Sequence, residues 1–112
     1  MDELQQLCND LLDKTNALVV LVMDANWHEL AHAGPSTLLD ADALSLLRAN
    51  ASGLPIEREV VGHFDNPGNH HFHLSLIVDR TIVVVFDERT SLGLVRLRAK
   101  KATEELARLS IH

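Results

Sequence analysis

His73-Leu-Ser-Leu-Ile-Val78, then Asp79-Arg80, then Thr81-Ile-Val-Val-Val-Phe86, is the stretch on which the fold turns. It reads as two strands folded back on each other. From Ile82 to Phe86 every residue is β-branched or aromatic. A strand that is apolar on both faces must be covered on both faces. The two-residue Asp79-Arg80 link lacks the glycine that tight hairpin turns favour, so a loop longer than two residues is expected.

Working outward, Ala17–Met23 has the same doubly apolar character, so it should lie beside Ile82–Phe86 at the sheet centre. The Asp24-Ala25-Asn26 turn leads to a weaker strand, Trp27–Ala33. Its alternation sets His28, Leu30 and His32 against Glu29, Ala31 and Ala33. Residues 56–63 alternate with charges at Glu57, Arg58 and Glu59, the mark of an edge strand. Asp65-Asn66-Pro67-Gly68-Asn69 is a turn. The strand after it, His70–Val78, sets Phe72, Leu74 and Leu76 on one face and His71, His73, Ser75 and Ile77 on the other.

Three helices complete the chain. Leu4, Leu7, Cys8, Leu11 and Leu12 form one apolar stripe over residues 2–15. A shorter helix over residues 38–52 takes Asp40 as N-cap, presents Ala41, Ser45 and Ala49 on a small-residue face, and stops at Gly53 and Pro55. The last helix, Ser91–Leu109, carries Leu92, Val95, Ala99, Ala102 and Leu106 inward, with Ser91 or Thr90 as cap. The order is αββαβββα in a single domain, an α+β protein with a five-stranded antiparallel sheet. The terminal helices share one face and the middle helix takes the other. One short helix covers five strands poorly, which together with the edge strand points to a homodimer.

Composition bounds function. A 112-residue chain fits one domain that needs no disulfide, and the single Cys8 suits a reducing compartment. The N-terminus is acidic where a secretory leader is basic, and no apolar run approaches membrane-spanning length, so the expected location is the cytoplasm with no membrane insertion. A net charge of −6 argues against nucleic-acid binding. That charge is uneven. Residues 1–88 hold four basic against fourteen acidic residues, −10, and residues 89–112 hold six against two, +4. Arg89, Arg96, Arg98, Lys100, Lys101 and Arg108 are either a solvated helix face or a dock for an acidic partner.

No catalytic motif is present. The serines sit in no nucleophile elbow, and no glycine-rich loop cradles phosphate. His63, His71 and His73 are the best chemical candidates: a zinc site needing Asp65 as fourth ligand, a pH-sensitive edge, or a polar loop. Zinc is the least favoured, and no cofactor or metal is expected. Trp27, the only tryptophan, either folds back onto the sheet or stands exposed as an anchor for a partner.

The element order resembles the Roadblock / dynein light chain family over nearly the whole chain. The resemblance is carried by Leu18–Met23, the turn after Asp24, Leu30-Ala31 with Gly34, and Ile82–Phe86. Its best local signature is Leu92-Gly93-Leu94-Val95-Arg96-Leu97, which looks like the start of the last helix in bacterial members, the type similar to Mgl polarity and gliding-motility regulators. One departure stands out: members commonly have glycine in the first hairpin turn, where this chain has Asn26 or Trp27. The resemblance implies a non-enzymatic homodimer built through the middle helix and third strand. That would place Asp40, Ala43, Leu44, Leu47, Arg48, Ala51, Glu57, Arg58, Glu59 and Val61 in the interface. Trp27, Arg48, His71 and His73 are the expected partner-binding residues. Partners would be a small Ras-like GTPase or other Roadblock and polarity proteins, with the chain as adaptor or, alternatively, as direct GTPase activator. A PAS-like small-molecule sensor, also built on a five-stranded antiparallel sheet, is disfavoured by long amphipathic helices at both ends.

Overall fold

The computed structural model describes residues 3–52, 59–65, 70–77 and 79–109. Helix α1 (Glu3–Thr15) leads into strands β1 (Val19–Met23) and β2 (Glu29–Ala33). Helix α2 (Ala41–Ser52), strands β3 (Glu59–His63), β4 (His71–Ile77) and β5 (Arg80–Phe86), and helix α3 (Leu92–Leu109) follow. The strands form one antiparallel sheet in the order β2-β1-β5-β4-β3. The two doubly apolar runs are paired near its centre, Leu21 opposite Val83, and β1 is buried at every position.

Each central strand feeds two cores. Val20, Val22, Ile82, Val84 and Phe86 meet Leu7, Cys8 and Leu11 of α1 and Val95, Ala102 and Leu106 of α3. Val19, Leu21, Val83, Val85, Phe72 and Leu74 meet Leu47 and Ala51 of α2. The terminal helices therefore share one face and the middle helix takes the other, as expected, and not the mid-chain helical cover of a PAS domain.

Helix ends follow local chemistry. Asn16, at φ 54°, takes the left-handed position that closes α1, a role asparagine tolerates. The Asp40 carboxylate accepts the Ala43 amide at 2.8 Å and starts α2 at Ala41 rather than at 38, since Ser36–Leu38 form a separate 3-10 turn. Ser91 Oγ accepts the Leu94 amide and caps α3. The Thr90 hydroxyl instead donates to the carbonyls of Thr15 and Asn16, which fastens the start of α3 to the end of α1.

Three expectations are corrected. Ile77 sits directly opposite Arg80, so the β4–β5 link has two residues and not more. The alternation of β2 is broken, because the register slips between Val22 and Met23. Leu30 is the additional residue of this bulge, and it packs with Ala31 and Ala33 on the α1/α3 side instead of facing away from them. Trp27 belongs to the turn and not to β2. Gly34, at φ 90°, ends β2 where a Cβ would meet the Leu18 carbonyl oxygen at 2.4 Å, so only glycine fits both the dihedral and the space. Expected features at 53–58 (the helix stop at Gly53 and Pro55, and the first residues of the third strand) and at 66–69 lie outside the described residues.

Candidate functional site

The cap at Asp40 sets the rotation of α2 and so decides which of its residues are available to a partner. Leu47 (0% exposed) and Ala51 (7%) point into the chain's own core. A residue with no free surface can lose none on association, so Leu47 is removed from the expected interface. Ala43 and Leu44 are half-buried, and Asp40 and Arg48 are exposed. The small-residue face is outward: Ala41, Ser45 and Ala49 are all exposed. Beside it stand Leu38 (41%) and Leu46 (38%), two large exposed apolar side chains that the sequence pattern does not single out. On β3, Glu59 and Val61 are exposed, and the strand has no neighbour on its outer side among the described residues. Glu57 and Arg58 lie outside the described residues.

Two of the four expected partner-binding residues come together. Trp27 and Arg48 line a groove of about 250 Å³ with Ala51, Ser52, Leu76 and Thr81, between the end of α2 and two hairpin turns. Asp24 builds the turn. Its Oδ1 accepts the amides of Asn26 (2.9 Å) and His28 (2.8 Å), and its own amide donates to the His28 carbonyl. The geometry holds Trp27 at φ 63°, a left-handed conformation that is an outlier for a bulky residue. The indole is half-buried and leans on the α2-side core, so it folds back rather than standing free. Its Nε1 is buried without a hydrogen-bond partner. Residue 27 is therefore a position that a glycine would occupy without backbone strain.

His71 and His73 do not join that groove. They lie on the opposite face of the sheet, the side of α1 and α3. The His71 ring is half-buried against Phe86, with centroids 5.6 Å apart, and 6.4 Å from the ring of His63. His73 is 1% exposed, so it is not a contact for a partner. Its Nε2 lies 2.7 Å from Glu59 Oε2 and its Nδ1 lies 3.3 Å from Ser75 Oγ. The other Glu59 oxygen accepts from Arg96 Nε at 3.2 Å. One carboxylate thus links the edge strand, the strand beside it and α3. Burial pushes the His73 pKa down, partly opposed by the Glu59 carboxylate; the hydrogen bond from His73, with Arg96 nearby, holds the Glu59 pKa down. Both directions fit a neutral imidazole that donates from Nε2–H to a carboxylate and accepts the Ser75 hydroxyl at Nδ1. With both ring nitrogens engaged, His73 is not disposed to bind zinc, and among the described residues no three His, Cys, Asp or Glu side chains gather as metal ligands.

A cleft of about 480 Å³ opens beside this cluster, between the sheet and α3, lined also by Lys100, Thr103 and Glu104. Serine, histidine and glutamate in contact suggest acyl transfer. The surroundings argue against it: Ser75 is 7% exposed in a strand paired on both sides, so ladder bonds occupy the amides an oxyanion hole would need. The cluster is not legible in the sequence. His73 and Ser75 at i and i+2 share one face there, but the Glu59–Ser75 register that closes the cluster has no local signal.

The basic group of the last quarter is dispersed. Arg89 is held by Asp87 at 2.9 Å, Arg96 by Glu59, and Arg98 is half-buried toward α1. Lys100, Lys101 and Arg108 remain exposed among Glu104 and Glu105, which is a mixed solvated face and not an acidic partner's dock. Among the described residues no helix is long and apolar enough to cross a membrane.

No family model matches the sequence, and no curated protein matches it. Solved structures do. Myxococcus xanthus MglB is 28% identical over 97% of this chain and 91% of its own, with a TM-score of 0.79. The gliding protein MglB of Thermus thermophilus is 25% identical over 92% and 84%, with a TM-score of 0.73. A Roadblock/LC7 domain from Streptomyces avermitilis is 14% identical over 99% and 100%, at a TM-score of 0.75, a likeness of fold alone. The fold is that of Roadblock proteins, and the resemblance read from the residues, to the bacterial Mgl type, is present in three dimensions.

Proposed function

We propose, from a Roadblock fold similar to that of MglB, that this protein is an Mgl-type regulator of cell polarity or gliding. It is a non-enzymatic cytoplasmic homodimer that acts by protein–protein contact with a small Ras-like GTPase or with other polarity proteins. The observation that carries this is the pairing of an open edge strand with an apolar-studded helix. Among the described residues β3 is a sheet edge, and the outward face of α2 combines Ala41, Ser45 and Ala49 with exposed Leu46, beside exposed Leu38 of the preceding 3-10 turn. Small side chains let a second helix approach closely, and an unpaired strand edge seeks another strand. A second copy offers both at once around a two-fold axis. The paired α2 helices and the flanking Trp27–Arg48 groove then form a surface for further partners.

Light scattering at micromolar concentration tests the first step. The expected result is twice the monomer mass for the wild type and a shift toward monomer for Leu46→Glu. A wild-type monomer refutes the dimer. The second step is tested by mixing the protein with a small Ras-like GTPase loaded with GTP or GDP. A complex without faster hydrolysis supports the adaptor, and faster hydrolysis that Arg48→Ala abolishes supports a direct activator. No complex in either state, with hydrolysis unchanged, removes the GTPase from the proposal.

A further inference from the structure

The strand that would join two copies is fastened to its own chain by a polar clasp. Helix α3 packs chiefly on β4 and β5, and α1 on β1 and β2, so β3 lies at the rim of the helical cover on that face. What reaches it is Arg96, whose guanidinium meets Glu59 at 3.2 Å, while Glu59 in turn meets the buried His73 at 2.7 Å. Glu59 stands opposite Ser75, so the clasp acts where β3 meets β4 at that pair.

We infer that proton uptake at His73 opens this clasp, loosens β3 and weakens association through it. The inference rests on the proposed β3 seam. His73 sees Glu59 from β3, Ser75 from β4 and Arg96 from α3, with Lys100 and Glu104 of α3 lining the cleft and His71 two residues away on its own strand. Opposite it, β3 presents Val61 and β5 presents Val84, neither of which titrates. Glu59 is the carboxylate in contact, and its other oxygen is already committed to a cation. A second proton would leave an imidazolium that is itself buried, sharing one half-exposed carboxylate with Arg96. Opening the clasp hydrates the imidazolium, so acid favours the open form.

The sign follows from linkage. The folded His73 pKa lies below the ordinary value of 6.5, so the open or unfolded form binds the proton more tightly. The clasp is fully stable above that value and weakens as pH falls below it, until the folded group also titrates. Glu59 adds in the same direction at lower pH, because its folded pKa lies below 4.5.

The test is sedimentation of the wild type and of His73→Gln at several pH values between neutral and mildly acidic. It is accompanied by hydrogen exchange of the β3 amides, corrected for intrinsic rates. Glutamine retains a neutral donor for Glu59 and cannot charge. For the wild type, dimer dissociation should strengthen by up to about tenfold per pH unit for each proton taken up, and β3 amides should exchange faster. His73→Gln should show neither change. Equal pH dependence in the two proteins overturns the inference, since other histidines would then be responsible. Unchanged exchange in the wild type also overturns it. A monomer at every pH refutes the seam but not the clasp, which the exchange data decide alone. Should His73→Gln fail to fold, Glu59→Gln provides the check. It removes the anion that favours the imidazolium, so the transition must move to lower pH; an unmoved transition overturns the inference.

Discussion

Trp27 allows a comparison in which two substitutions remove the same side chain but leave different backbones. At φ 63° an L-residue carries a left-handed penalty of roughly 1–2 kcal/mol, from which glycine is free. The indole is half-buried on the α2-side core, so its loss costs about 2 kcal/mol, less than the roughly 3–5 kcal/mol of a fully buried aromatic. Both Trp27→Ala and Trp27→Gly lose that packing. Alanine retains the backbone penalty. Glycine removes it, but gives back about 0.4–1 kcal/mol through the greater freedom of its unfolded chain. The difference leaves Trp27→Gly more stable than Trp27→Ala by about 0.5–1 kcal/mol, or a few degrees in Tm for a domain of this size. Because Trp27 is the only tryptophan, its fluorescence vanishes in both variants, and urea unfolding is best followed by far-ultraviolet circular dichroism. The two variants should unfold with equal slopes and different midpoints. An alanine variant as stable as the glycine variant, or more so, would show that the turn does not hold residue 27 at positive φ in solution.

Two further substitutions probe other parts of the frame. Gly62→Ala places a methyl 2.4 Å from the Phe72 ring, itself 2% exposed, and should cost about 1–3 kcal/mol in thermal unfolding because the ring has little room to retreat. Asp40→Ala removes the α2 cap and should cost about 1 kcal/mol, with lost helix signal, whereas Asp40→Ser should recover most of it.

What could be read in advance was what depends on neighbours along the chain. Ile82–Phe86 and Val19–Met23 are apolar on both sides, and such strands have one place to go, between two layers. Asp40 and Ser91 precede their helices at the distance a cap requires. What escaped depends on partners far apart in sequence. Alternation assigned His73 to a face but not to a depth, and a histidine is as common at surfaces as inside. Its burial comes from the register that puts Glu59 opposite Ser75, which alternation along either strand does not by itself specify. Trp27 was seen as a departure from glycine, yet its dihedral is imposed by the Asp24 side chain closing the turn. The inward turn of Leu47 follows from where α2 starts, and the separate 3-10 turn at Ser36–Leu38 moved that start by three residues from 38 to 41.

The polar fastening of β3 follows from how helices cover a sheet. Two helices side by side cover about four strands, here β2, β1, β5 and β4, and the fifth is left at the rim. An apolar residue at position 59 would hold to the body only if something apolar lay above it, and what α3 presents to it is Arg96. A long charged side chain suits that place, because the aliphatic stem of Arg96 spans the gap and its head finds the carboxylate. Exposed pairs of this kind contribute little, about 0–1 kcal/mol, so Arg96 alone would be a weak tether. The closed contact is the one from Glu59 to His73, where water is excluded on the imidazole side and an unmet partner is costly. The strength of the edge therefore resides in an imidazole whose charged form burial disfavours. A rim strand held this way stays ordered on the α1/α3 side while its outer edge remains free to pair.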